Sequence, residues 1–125
     1  MAKILVVDDD PNIRNYLNQL LSSQGHVVVE ATSYARALTL FRADTFGIVI
    51  VEILLADHDA FALLKDIKQP EHLGARILAI TAGSNRLPRD YLLNIATMLG
   101  ADAVLPKPLD AAKTLATVNK LLPGS

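Results

Sequence analysis

Short apolar runs rich in β-branched residues alternate along this chain with longer stretches whose apolar residues recur at helical spacing, the pattern of βαβ units around a parallel sheet. The runs are Ile4-Leu5-Val6-Val7, Val27-Val28-Val29, Gly47-Ile48-Val49-Ile50-Val51, Ile77-Leu78-Ala79-Ile80 and Ala103-Val104-Leu105. Five strands are predicted from them, each followed by a helix. Asp10 before Pro11 supplies a cap and a first helical position, and Ile13, Tyr16, Leu17, Leu20 and Leu21 form one face up to Gly25. Ser33 caps a second helix whose Ala37, Leu38 and Phe41 point inward; Asp59 caps a third carrying Phe61, Leu63, Leu64 and Ile67. Pro88 opens a fourth helix through Leu92, Ile95 and Ala96 to Gly100, and Leu115, Val118, Leu121 and Leu122 mark the fifth.

The chemistry gathers where strands end. Asp8, Asp9 and Asp10 follow the first run, Glu52 closes the third, Thr81-Ala82 closes the fourth, and Pro106-Lys107-Pro108 follows the fifth. Ligands of open α/β sheets bind outside the carboxyl ends of the strands, where these side chains would converge. Carboxylates collected there raise one another's pKa unless a cation joins them, which suggests a hard divalent ion such as Mg²⁺. Lys107 is the one cation the sequence puts at this edge, so Glu52 is expected within its reach, directly or through water. Asp10 is read simply as a helix cap.

Composition narrows the alternatives. At 125 residues and 51% hydrophobic content the chain can bury one core, and residues 1–122 are expected to form one domain with 123–125 as a tail or the start of a linker. A net charge of −1 gives no footprint for nucleic acid. The absence of cysteine excludes disulfide and thiolate chemistry and suits a cytoplasmic protein. No apolar stretch has the length of a bilayer span, and Asp8 comes too early for a signal peptide. His26, His58 and His72 fall in separate loops without acid partners and are expected to be solvated. Gly25, Gly47, Gly74, Gly83 and Gly100 are isolated, so no phosphate-binding glycine loop can be written on them.

Taken in order, the acid pair after the first strand, Thr81-Ala82 and Lys107-Pro108 resemble the motifs of the receiver (phosphoacceptor) domain of two-component response regulators, over essentially the whole chain. The resemblance implies a CheY-like α/β fold with strand order 2-1-3-4-5, and a signalling module rather than an enzyme. It implies Mg²⁺ ligation by Asp9, with Asp8 acting largely through water, together with the third-strand carboxylate and the backbone carbonyl two residues later, here Glu52 and Leu54. It also implies a switch hydroxyl at Thr81 with small Ala82 beside it, a phosphate-site lysine at Lys107, and a cis Lys107-Pro108 bond. The partners implied are a histidine kinase or another signalling protein, an output domain fused beyond Ser125, and a second copy through the face of the fourth helix, fifth strand and fifth helix. Direct nucleic-acid and membrane binding are not expected.

Several positions depart from the family. Glu52 stands where the family has its phosphorylatable aspartate, reaching about 1.5 Å further, and an atypical receiver with phosphotransfer lost or severely slowed is expected. The longer arm is expected to turn toward Lys107 and Thr81. The residues after it, Ile53 to Ala60, lack the family's proline and glycine, so a fixed turn is expected to be lost. Val104 replaces the signalling aromatic, and the span from Thr81 to Lys107 is longer than usual. The competing readings are a working receiver phosphorylated at Glu52, Asp57 or Asp59, and a small Mg²⁺-dependent α/β enzyme.

Overall fold

The computed structural model describes residues 2–69 and 75–122. Five strands, β1 (Lys3–Val7), β2 (Val27–Ala31), β3 (Ile48–Glu52), β4 (Arg76–Thr81) and β5 (Ala103–Pro106), alternate with α1 (Pro11–Ser22), α2 (Tyr34–Ala43), α3 (Phe61–Ile67), α4 (Arg89–Met98) and α5 (Ala111–Leu121). All neighbouring strands pair in parallel in the order β2-β1-β3-β4-β5, the order expected. His72, Gly74 and Pro123-Gly124-Ser125, each assigned above, lie outside the described residues.

Alternation along the strands sends side chains to two apolar layers. Leu5, Val7, Val49, Val51, Ile77 and Ala79 meet α2, α3 and α4 through Phe41, Leu64 and Leu92. Ile4, Val6, Ile48, Ile50, Leu78 and Ile80 meet α1 and α5 through Leu17, Leu21 and Val118. Because both faces are covered, the central strands β1 and β3 are buried along nearly their whole length. At about 25 cal/mol for each Å² of apolar surface removed from water, these two layers are the main favourable term of the fold.

Helix ends follow local chemistry. Asp10 and Ser33 accept the amides of Asn12 and Arg36, as expected of caps. Asp110, which the sequence reading did not single out, does the same for Lys113 at the start of α5. Gly25 and Gly100 take positive φ and close α1 and α4, with His26 N–H donating to the Leu21 carbonyl and Ala101 N–H to that of Ala96.

Four readings need correction. Strand β2 runs on to Ala31, because Val6 and Val7 continue to pair with Glu30 and Ala31. The cap position of α3 is Ala60, whose carbonyl receives Leu64 N–H, although Asp59 Oδ1 still accepts Phe61 N–H from one residue earlier. Pro88 precedes α4 rather than opening it, and the helix turns Leu93 inward with Leu92 and Ala96, leaving Ile95 half-buried. The fourth concerns the loop after β3, which is fixed rather than loose. Ala60 N–H donates to the Ile53 carbonyl at 2.8 Å, and Leu54 and Asp59 form an antiparallel bridge, so backbone bonds close the turn without proline or glycine.

Candidate functional site

The chain leaves β1 for β2 on one side and returns to β3 on the other, so a crevice opens at the carboxyl ends of β1 and β3. Asp8 and Glu52 stand on its two walls. Asp8 is fully buried; its Oδ1 accepts Asp10 N–H at 2.9 Å and its Oδ2 accepts Lys107 Nζ at 2.8 Å. Glu52 lies 2.6 Å from the same ammonium through Oε1, while Oε2 accepts the Leu54 N–H at 3.0 Å. One lysine thus joins two carboxylates. Their side chains are 12% (Lys107), 1% (Asp8) and 8% (Glu52) exposed, so the three charges meet largely out of water.

Protonation follows from that burial. Desolvation pushes the Asp8 carboxyl up, and the bond from Lys107 only partly offsets it. Desolvation also disfavours the Lys107 ammonium, but the bonds to Asp8 and Glu52 prevail and hold its pKa above the ordinary lysine value. The lysine is therefore a permanent cation at this centre. Its backbone is fixed by its own N–H to the Thr81 carbonyl at 2.9 Å, and the Lys107–Pro108 peptide is cis.

The other expected residues lie around this triad without all joining it. Thr81 is buried and its Oγ1 accepts the Gly83 N–H at 3.1 Å; Glu52 turns to Lys107 as expected but makes no hydrogen bond to Thr81. Ala82 beside it is exposed. Asp9 is exposed and its Oδ2 accepts Ala56 N–H at 2.8 Å. Leu54 is half-buried, with its N–H spent on Glu52. Asp8, Asp9, Glu52 and the Leu54 carbonyl are hard oxygen donors whose chemistry suits Mg²⁺. In the observed arrangement Asp8 and Glu52 are given to Lys107 and Asp9 to Ala56, and among the described residues no three acidic, histidine or cysteine side chains gather as an ion site.

Sequence reasoning missed the supporting residues. Arg14 Nη1 donates to the Asp8 carbonyl at 2.8 Å and its Nε to Glu30 at 3.2 Å, pinning the acid loop from α1. Arg89 reaches the Lys107 carbonyl at 3.5 Å. Asp57 accepts the Tyr34 and Ala35 amides at 3.0 and 3.3 Å, and the first of these bonds is the main cause that lowers its pKa. The expectation of solvated histidines without acid partners holds in part: His58 is exposed but has an acid beside it, and His26 is half-buried without one. His26 Nδ1 accepts Ala2 N–H at 3.1 Å, whereas His58 stacks on Tyr34 at 4.8 Å between ring centres and lies 3.9 Å from the Asp59 carboxylate.

Comparison with known proteins agrees with this architecture. The sequence profile of the family described as response regulator receiver domain matches residues 4–119. The transcriptional regulatory protein CpxR of Escherichia coli K12 is 30% identical over 122 residues, covering 98% of this chain and 50% of CpxR. GltR of Pseudomonas aeruginosa is 32% identical over 120 residues, covering 95% and 48%. The chain spans about half the length of the curated relatives it matches. Among solved structures, the response regulator TrrA of Thermotoga maritima in complex with Mg²⁺-BeF superposes with a TM-score of 0.83 at 29% identity, covering 98% of this chain and 100% of TrrA.

Proposed function

The chain belongs to the response regulator receiver domain family of two-component signalling, and we propose that it is an atypical receiver, a protein-docking module whose Glu52 stands in the phosphoacceptor position without conventional phosphotransfer. The observation that carries this reading is the Glu52 carboxylate itself: one oxygen is held by Lys107 at 2.6 Å and the other by Leu54 N–H at 3.0 Å. Phosphoryl transfer depends on placement, and a misplacement near 1 Å costs about a hundredfold in rate. A side chain longer by a methylene and engaged at both oxygens is poorly placed for in-line attack. Its single charge imitates a phosphate only in part, since a phosphoryl group brings about −1.5 to −2.

Asp57 and Asp59 are weaker acceptor candidates than Glu52. Both lie outside the buried triad, and both spend carboxylate oxygens on backbone amides. The domain is proposed to comprise residues 1–122. Any Mg²⁺ bound at Asp8, Asp9, Glu52 and the Leu54 carbonyl is proposed to bind weakly, since it competes with the Lys107 ammonium. The proposed partner is a histidine kinase or another signalling protein. Leu87, Tyr91 and Met98, which are 37%, 55% and 84% exposed at and before α4, offer it an apolar face, which a second copy of the chain could also use.

The test is direct. Incubation with acetyl phosphate and Mg²⁺ should give no phosphate adduct by intact mass, and Glu52→Asp should recover one by returning the carboxylate to the shorter reach. An increment of one phosphate on the unmodified chain would overturn the proposal.

A further inference from the structure

The loop between β3 and α3 crosses the mouth of the acid centre. From Glu52 on β3 it places Leu54 N–H on the Glu52 carboxylate, then Ala56 N–H on Asp9 beyond β1, so it spans the crevice between the two acid-bearing strand ends. Its far side is fastened to a different element. Asp57 accepts the amides of Tyr34 and Ala35, the first two of α2, while Ser33 Oγ takes the third, from Arg36. The next residue, His58, lays its ring on that of Tyr34 at 4.8 Å and 25°. Every amide of the first turn of α2 up to Arg36 is thereby satisfied, two of them by a residue from the loop.

We propose that residues 54–59 form a strap over the Glu52–Lys107 centre, and that its closure is set at the start of α2 by Asp57 and His58, so that α2 governs access to the centre. The proposal goes beyond the reading of Glu52 as a poor acceptor and does not depend on it, because it requires only that the fastenings at α2 and at the acids open together. Loop and helix stabilise each other: release of Asp57 leaves two α2 amides to water and removes the anchor that keeps Ala56 against Asp9. A partner that draws on the first turn of α2 would therefore free the Asp9 carboxylate from the Ala56 N–H, releasing an oxygen donor suited to a hard cation. The low exposure of Glu52 and Lys107 fits a covered centre.

Amide hydrogen exchange of the folded chain, read residue by residue by NMR, tests this. Asp57→Ala should speed exchange at Leu54 and Ala56 about tenfold, the factor expected for loss of one net charge-assisted bond, while the amides of β1 and β3 keep their rates. His58→Ala, which removes the ring contact with Tyr34 and the bond from Nδ1 to the Asp59 carbonyl within the strap but leaves both α2 amides on Asp57, should speed the same two amides by a smaller factor. Should Asp57→Ala also loosen β1 and β3, His58→Ala alone decides the matter. Faster exchange confined to Tyr34 and Ala35, with Leu54 and Ala56 unchanged, would make Asp57 a simple helix cap and overturn the strap.

Discussion

Lys107 is the residue on which the centre balances. Its ammonium is held by two carboxylates that would otherwise face each other away from water, and like charges so placed are costly. Replacing it with alanine should destabilise the fold by about 3 kcal/mol at neutral pH, the low end for a broken buried pair because the lysine keeps some solvent contact. The loss should shrink in acid, since Asp8, whose pKa burial already raises, then takes up a proton. The same variant should bind Mg²⁺ more tightly than the parent, and denaturant unfolding across pH with a magnesium titration checks both; equal stability at neutral pH would show that the lysine is a bystander. These residues were legible because each ends a strand, and strand runs are visible in the hydrophobic pattern. Arg14 and Asp57 were not, because their partners are backbone groups of other segments and no spacing within the sequence encodes such a meeting.

At the scale of elements, what the sequence hid is how the loops are fastened. The five strands and five helices follow from periodicity, whereas the loop from Thr81 to α4 is built from contacts that no pattern announces. Gly83 donates its N–H to Thr81 Oγ1, Ser84 N–H bonds the Leu87 carbonyl at 2.8 Å, and Ser84 Oγ accepts the amides of Arg86 and Leu87. Gly83 has φ +74°, and a Cβ there would lie 2.6 Å from Arg89 N and 2.8 Å from the Leu87 carbonyl oxygen. Both obstacles are backbone, so neither can swing aside. Gly83→Ala should therefore cost at least about 2 kcal/mol, combining left-handed strain with a clash that must move the start of α4. Gly25→Ala, with nothing within 4 Å of the added carbon, carries the positive φ alone and should cost less. Chemical denaturation of the two variants ranks them, and an equal loss would show that the loop yields easily.

For the molecule as a whole, the reading of a docking module makes a demand on binding. If the Glu52–Lys107 pair sets the surface that a partner recognises, the partner should bind without any phosphodonor. Glu52→Gln should then weaken binding roughly 5- to 150-fold, the range of a coupling free energy of about 1–3 kcal/mol. Calorimetry with the partner measures this, and equal affinity for parent and variant would leave the old acceptor site a relic beside an independent surface. Strand order and the two-sided core were legible at this scale because apolar runs covered on both faces leave few arrangements. The first turn of α2 carries one more consequence, for the order in which the chain is assembled. Ser33 is present when that turn is made, but it satisfies only Arg36; Tyr34 and Ala35 wait for Asp57, which comes 23 and 22 residues later. During synthesis these two amides thus lack their protein partner until β3 and the loop beyond it have emerged, and the start of α2 can be completed before Lys107 arrives to join the two acids.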